Sequence, residues 1–321
     1  MKKKILIGID LGGTNVRVGA VTPAGELLAF QEAPIEARQG PQAGVEKIAG
    51  LITWVTEQAG GHLQAIGIGS TGPVDRTLGA IQNPFTLPTW ENVDIVAPIR
   101  DRFHVPVTLE NDADAAALGE SWMGAGRGVP RLIMVTVGTG VGTAFILNGG
   151  IYRGVDGAHC EGGHMVLDPA GPECYCGARG CWESLASGTA IGVFAREQAA
   201  AHATRMTELA GGNLQQIDTA IVASAARQGD LLASRIINRA ADHIALGLVN
   251  LIVLFLPDCI VLSGGVMRSF DLMETRIRAV IARHNIIVPA AQVELRLAQL
   301  GQQAGMMGAA HAAMQFLEEQ S

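Results

Sequence analysis

GIDLGGTNVRVGAVTPAGELLAF, running from Gly8 to Phe30, decides the fold. A buried strand over Lys4 to Asp10 runs into a polar turn with Gly12 and Gly13. A second strand leaves that turn, and Ala24-Gly25 forms a hairpin into a third strand carrying Leu27, Leu28 and Phe30. This order is not the strand, GxGxxG and helix of a dinucleotide fold, so the glycines do not indicate a nicotinamide site. The same order returns in RLIMVTVGTGVGTAFILNGGIYRG, Arg131 to Gly154, with Asn148-Gly149 as its hairpin. A pseudo-repeat of this kind gives each of two domains one hairpin with a ligand-facing turn. Paired glycine-threonine turns, one led by a carboxylate, form a clamp for a polyphosphate. Backbone N–H groups and the hydroxyls of Thr14 and Thr139 suit phosphate oxygens, and Asp10 suits magnesium. Neither turn matches GxxxxGK[ST], which excludes a Walker-type loop.

Past the second hairpin lies GVDGAHCEGGHMVLDPAGPECYCGARGCWESLASG, Gly154 to Gly188, which holds four of the five cysteines and two of the eight histidines. Cys174, Cys176 and Cys181 fall within eight residues, and His164 is the nearest fourth donor. Three thiolates so close suit a tetrahedral zinc site, structural if all four ligands come from protein. Reduced core thiols, a disulfide pair and an iron-sulfur cluster are the other readings. The glycine-rich surroundings and a cytosolic character argue against the first two, and the Cys-x-Cys spacing against the third. Cys160 reads as a small buried residue beside Glu161.

The 321 residues are too many for one minimal core and point to two domains. With 41 glycines and 4% aromatics, the chain reads as an α/β protein with many tight turns. A net charge of -7 leaves no basic surplus to follow a phosphate backbone, so no nucleic-acid partner is expected. MKKK followed by ILIGIDLGG reads as a first strand and not a signal peptide. The apolar segment Ile244 to Pro257 is shorter than a membrane span, so a cytoplasmic location without membrane attachment is expected. A helix is predicted over Gln42 to Gly60, a strand in AIGIGS, an irregular connection over Leu78 to Ile95, and strands at Val105 to Leu109 and Cys259 to Leu262. Helices fill most of Thr189 to Leu256 and Asp271 to His284, and the tail GQQAGMMGAAHAAMQFLEEQ reads as a small-residue helix suited to close packing. In ENDADAAALGESW, Asn111 or Asp112 stands where a strand meets a helix. A helix cap is the plain reading of Asp112, but the density of acids and amides at a strand end is where open α/β sheets place their chemistry.

From about Ile5 to Ala313 the chain resembles the ROK family of bacterial sugar kinases, especially its glucokinases. The likeness is carried by GIDLGGTNVRVG, GPVD, ENDADAAALGE, VTVGTGVGTAFILNG, EGGH, CYCGARGCWES and VLSGGV. The resemblance implies an actin-like ATPase (ribonuclease H-like) α/β fold of two domains with the active site in the interdomain cleft. The smaller domain is expected at residues 1–115 plus 300–321, with the first phosphate loop. The larger is expected at 116–299, with the second phosphate loop, the zinc loop and the adenosine-side turn. It also implies ATP, magnesium and a structural zinc as cofactors, and a homodimer or dimer of dimers.

On the same grounds Asp112 is the expected general base, taking the proton of the sugar hydroxyl that attacks the γ-phosphate. Asn83, Asn111, Asp112, Glu161, His164 and Glu183 are the expected hexose ligands. Asp10, Gly12, Gly13, Thr14, Gly138, Thr139 and Gly140 resemble phosphate and magnesium contacts, and Gly264 with Gly265 the nucleoside side. His164, Cys174, Cys176 and Cys181 are the expected zinc ligands. Three departures from the family pattern stand out: Thr71 for a frequent proline, Cys160 for a glycine before the acidic sugar ligand, and Thr143-Ala144 in place of a more glycine-rich turn. The implied reaction is ATP-dependent phosphorylation of a hexose, glucose to glucose 6-phosphate. N-acetylmannosamine, N-acetylglucosamine, fructose and allose are rival acceptors. A non-catalytic sugar-sensing regulator is the reading of another class, disfavoured because the first phosphate-loop strand starts at Lys4 and leaves no room for a preceding DNA-binding motif.

Overall fold

The computed structural model describes residues 3–83 and 86–320. Three strands open the chain: β1 (Lys4–Leu11), β2 (Asn15–Val21) and β3 (Leu27–Pro34). Helix α1 (Pro41–Ala59) leads into β4 (His62–Ser70), and short strands β5 (Val74–Asp75), β6 (Ala80–Gln82) and β7 (Glu91–Asp94) follow. Next come α2 (Val96–Phe103), β8 (Val107–Asn111) and α3 (Asp112–Met123). The second half begins with β9 (Arg131–Val137), β10 (Val141–Leu147) and β11 (Gly150–Ile151). Helices α4 (Trp182–Ala186), α5 (Gly188–Ala201), α6 (Arg205–Leu209), α7 (Thr219–Arg227) and α8 (Leu231–Phe255) lie beyond the cysteine loop. Strand β12 (Cys259–Ser263), α9 (Glu274–Arg283), β13 (Glu294–Leu297) and α10 (Ala304–Glu319) complete the chain.

The two five-stranded sheets have one order. The first runs β3-β2-β1-β4-β8 and the second β11-β10-β9-β12-β13, so each places its strands third, second, first, fourth, fifth. In the first sheet the hairpin strands are antiparallel and the later two parallel to β1. The pseudo-repeat expected from the two glycine-threonine segments is therefore a repeat of topology. The chain divides into two compact units: Met1–Leu132 with Ala144–His159 and Ala298–Ser321, and Ile133–Thr143 with Cys160–Leu297.

In the first unit, period-2 alternation sends alternate residues of β1 to two cores. Ile5, Ile7 and Ile9 pack with Ile48, Ile52 and Ile99 of α1 and α2, whereas Leu6 packs with Met306, Met307 and Ala310 of α10. Small residues bring α10 very close. A Cβ at Gly8 would stand 1.9 Å from the Met306 carbonyl oxygen, and one at Gly67 1.7 Å from that of Ala309. Buried Glu120 of α3 ties down the approach to α10, its carboxylate accepting the backbone N–H groups of Gln299, Leu300 and Ala125 at 2.8 to 3.1 Å.

Two expectations need correction. The connection over Leu78 to Ile95 is not wholly irregular: β6 and β7 form a three-stranded sheet with β5. Strands of two to four residues are too short for alternation to show, and Pro84 and Phe85 of this stretch lie outside the described residues. The apolar segment from Ile244 is the end of a longer helix, α8, whose 25 residues are long and apolar enough to cross a membrane. That helix serves the core: Ile236, Ile237, Ala241, Ile244, Leu248 and Ile252 are buried, as is 61% of its most apolar stretch.

Candidate active site

Between β1 and β2 the first turn is closed by a hydrogen bond from the Gly12 N–H to the Asn15 carbonyl, 3.0 Å. Gly13 has no space for a side chain, since a Cβ would lie 2.6 Å from the Thr86 carbonyl oxygen. Asp10 closes the strand with its Oδ2 3.0 Å from Arg17 Nη1, and Arg17 also holds Glu32 at 3.0 Å. Burial raises the Asp10 carboxyl above its usual range, and the Arg17 hydrogen bond and charge offset part of that rise. A magnesium ion at Asp10 would share the carboxylate with Arg17.

At the end of β8 the roles of Asn111 and Asp112 separate. Asn111 is the helix cap: its Oδ1 accepts the Ala113 N–H at 2.8 Å. Asp112 is the first helical residue, and its carboxyl is pushed up to about 6, by burial first. The Ala113 N–H and the charge of His159 lower it, while the charge of Asp10 raises it. Three further residues frame this junction. Buried Glu110 is paired with Arg76 at 2.9 Å and Arg153 at 2.5 Å, and Asp114 with His159 Nδ1 at 2.9 Å. These pairs fix the strand before Asp112 and the helical turn after it. Their partners lie 34 to 45 positions away in sequence, so spacing alone gave no signal of them.

Asn83 is buried, and its carboxamide is engaged with the loop. Nδ2 donates to Thr86 Oγ1 at 2.6 Å and Thr71 Oγ1 at 3.3 Å, and Oδ1 accepts the Thr86 N–H. Thr71, a departure noted above, thus serves as one anchor of Asn83.

In the second unit the turn between β9 and β10 has its carbonyls tied inward. Gly188 N–H donates to the Gly138 carbonyl at 2.7 Å and Thr189 Oγ1 to the Thr139 carbonyl at 2.8 Å. Gly264, at φ 97°, packs on the Val137 carbonyl, where a Cβ would come within 2.3 Å; around Gly265 there is open space. Glu183 reaches the same turn: its Oε2 accepts the Val141 N–H at 2.8 Å and fills the space a Cβ on Gly140 would need.

Thr143, one of the departures noted above, is tied by its side chain to the loop that carries Glu161. Its hydroxyl donates to the Cys160 carbonyl and accepts the Gly162 N–H, each at 2.9 Å, so it clasps the backbone on both sides of Glu161. The glycines of EGGH allow the approach, since a Cβ at Gly163 would lie 2.0 Å from the Val141 carbonyl oxygen.

The donor atoms of His164, Cys174, Cys176 and Cys181 lie within 4.8 Å of one another. Cys174 Sγ is 3.5 Å from His164 Nδ1 and Cys176 Sγ 3.6 Å from Cys181 Sγ. A tetrahedron with zinc-sulfur bonds of ~2.3 Å has edges of ~3.8 Å, so the donor set fits zinc. Tyr175, between two of the cysteines, meets the His164 imidazole. Its hydroxyl is 3.0 Å from His164 Nε2, and its ring stands edge-on to the imidazole at 5.0 Å between centroids. Its phenol is raised to about 12, by desolvation first and then by the charges of Glu183 and Glu161, although most of the ring is exposed.

A family model described as ROK family matches residues 6–315. The chain belongs to the ROK family. Among ROK relatives, the glucokinase of Thermotoga maritima is 35% identical over 310 residues, 97% of this chain and 97% of its own. The ROK hexokinase from Thermus thermophilus matches with a TM-score of 0.85 at 31% identity, covering 98% of this chain and 99% of that one. A ROK family glucokinase from Streptomyces griseus, solved in complex with glucose and AMPPNP, matches with a TM-score of 0.77 at 33% identity over 97% and 99% of the chains. The xylose repressor of Bacillus subtilis is 27% identical over 94% of this chain and 75% of its own length. The fold is the actin-like ATPase fold of these ROK structures.

Proposed function

We propose that the protein is an ATP-dependent hexose kinase that transfers the γ-phosphoryl group to the 6-hydroxyl of glucose. The observation that carries the reading is Asp112, a carboxyl at the first turn of a helix with its pKa raised to about 6. Such a group is ionised at neutral pH yet close enough to it to accept a proton efficiently. Asp112 takes the 6-hydroxyl proton as that oxygen bonds to the γ-phosphorus and the bond to ADP breaks. The proton then leaves Asp112 for solvent. Glu110, clamped by Arg76 and Arg153, and Asp114, paired with His159, keep the carboxylate in place.

Asn111 Oδ1 is taken by the cap, so its Nδ2 is the atom left to donate to a sugar hydroxyl. Glu161, His164 and Glu183 are assigned the remaining hydroxyls, with Asn83 supporting the loop beside Thr71. The N–H groups of Gly12, Gly13, Thr14, Gly138, Thr139 and Gly140 are assigned to phosphate oxygens, and Gly264 and Gly265 to the nucleoside. Magnesium at Asp10 would neutralise charge on the phosphates. Zinc held by His164, Cys174, Cys176 and Cys181 would have no open position and would only fix the loop. On this reading the enzyme is cytoplasmic, acts as a homodimer or dimer of dimers, and has no nucleic-acid partner.

The relatives named glucokinase support glucose over N-acetylmannosamine, N-acetylglucosamine, fructose or allose. Because a repressor also matches, turnover and not binding is the deciding measurement. Initial rates with ATP and magnesium across those hexoses are expected to be highest for glucose and lost in Asp112→Asn with sugar binding retained. A better N-acetylhexosamine would overturn the acceptor. Full activity in Asp112→Asn would overturn the mechanism.

A further inference from the structure

Tyr175 lies between two proposed metal ligands, Cys174 and Cys176, yet its side chain leaves the cluster and meets the sugar-side face of His164. The proton on that imidazole can be placed by chemistry. Nδ1 faces Cys174 Sγ at 3.5 Å and is the nitrogen a metal would take, so Nε2 carries the hydrogen. Nε2–H therefore donates to Tyr175 Oη at 3.0 Å. Glu183 lines the same cavity as the phenol, and its carboxylate oxygens can only accept. The hydroxyl oxygen thus sits on His164 Nε2–H with Glu183 on the neighbouring wall. A sugar hydroxyl placed there would accept the same bond from His164 and find the carboxylate within the same cavity.

We propose that Tyr175 is a resident competitor of the hexose: its hydroxyl occupies the place of a sugar hydroxyl on His164 and must leave before the sugar binds. This rests on the reading of His164 and Glu183 as sugar ligands. The ring is held lightly, being 84% exposed, so its release costs little beyond its contacts with His164. It also has somewhere to go. Tyr175 and Glu183 both line a cavity of about 790 Å³ that Phe194, Ile236 and Arg239 also bound. A polyol that satisfies both His164 and Glu183 can replace the phenol; a deoxy sugar lacking that hydroxyl cannot repay the bonds it breaks. Tyr175 thereby sharpens selection for a hydroxyl at one ring position at the expense of affinity.

The test uses the full chain loaded with zinc. Tyr175→Phe keeps the ring and removes the competing hydroxyl, so the KM for the best hexose falls about two- to tenfold, the span expected of one net hydrogen bond, and the change falls on KM and not on kcat. Discrimination against the deoxy sugar also narrows in this variant. A KM that is unchanged overturns the proposal, and one that rises makes Tyr175 a sugar ligand instead. A second readout does not depend on turnover. The chain has only two tyrosines, Tyr152 and Tyr175, so fluorotyrosine labelling gives two ¹⁹F resonances, and Tyr175→Phe identifies one of them. Saturating sugar without nucleotide is expected to shift the Tyr175 resonance. A resonance that stays fixed while sugar binds overturns the proposal, as does a failure of every hexose to bind. Binding and displacement without turnover would instead retain the competitor and reject the kinase.

Discussion

As the proposed base, Asp112 would join activity to a stability cost in one side chain. Burial is the largest reason its carboxyl rises to about 6 from 3.8, so folding favours the neutral form. Activity requires the charged form. The ratio kcat/KM is therefore expected to be level above pH 6 and to fall tenfold per unit below it, which a pH-rate profile checks. The stability cost has the opposite trend. It is complete above the folded pKa of about 6, shrinks as pH falls, and vanishes below the unfolded value of 3.8. Asp112→Asn should accordingly raise stability at pH 8 by about 1–2 kcal/mol, allowing for partial exposure, with the gain narrowing towards pH 4 in thermal unfolding. Thr143 works without charge. Thr143→Val removes both hydroxyl bonds that flank Glu161 and leaves a part-buried carbonyl and N–H without them. A loss of about 1–3 kcal/mol and a severalfold rise in hexose KM are expected from denaturation and steady-state rates.

At the scale of elements, helix α10 owes its position to the absence of side chains. Gly308 faces the Ala115 carbonyl of α3, where a Cβ would lie 1.6 Å from the oxygen. Gly308→Ala is expected to push the helices apart and cost about 1–3 kcal/mol in urea unfolding. Gly50, in the middle of α1 with open space around it, is the control, and Gly50→Ala should stabilise by up to about 1 kcal/mol. This distinction marks how much was legible in the sequence. The run of glycine and alanine in α10 announced close packing, and alternation announced β1, because each pattern is local and long enough to repeat. Strands β5 to β7 were not legible, being two to four residues long. The four metal-type donors, gathered within 4.8 Å, could be found from their spacing. Tyr175, the partners of Thr143 and the Asp114–His159 pair could not, because residue type does not tell which way a side chain points or which distant element it meets.

For the whole molecule, the repeated sheet order makes the differences between the halves informative. The first unit carries the acids at Asp10 and Asp112, and the second the cysteine cluster. If the cluster holds the proposed zinc, a strong chelator or Cys176→Ala is expected to release the loop that holds His164. Thermal unfolding should shift to lower temperature and hexose KM should rise severalfold. Unchanged stability and affinity in a protein shown to be metal-free by elemental analysis would show that the cluster does not hold the site.

The order of synthesis gives the packing of α10 another meaning. Leu6, Val21 and Ala65 leave the ribosome early, but Met306, Met307, Ala310 and Ala313, which cover that face of the first sheet, come near the end of the chain. Residues 133–143 and 160–297 emerge in between and make up the second unit. A nascent chain therefore carries one finished sheet face and one bare apolar face through most of translation. A chain truncated before Ala304 would lack the residues that cover this face, and is expected to be recovered in the insoluble fraction.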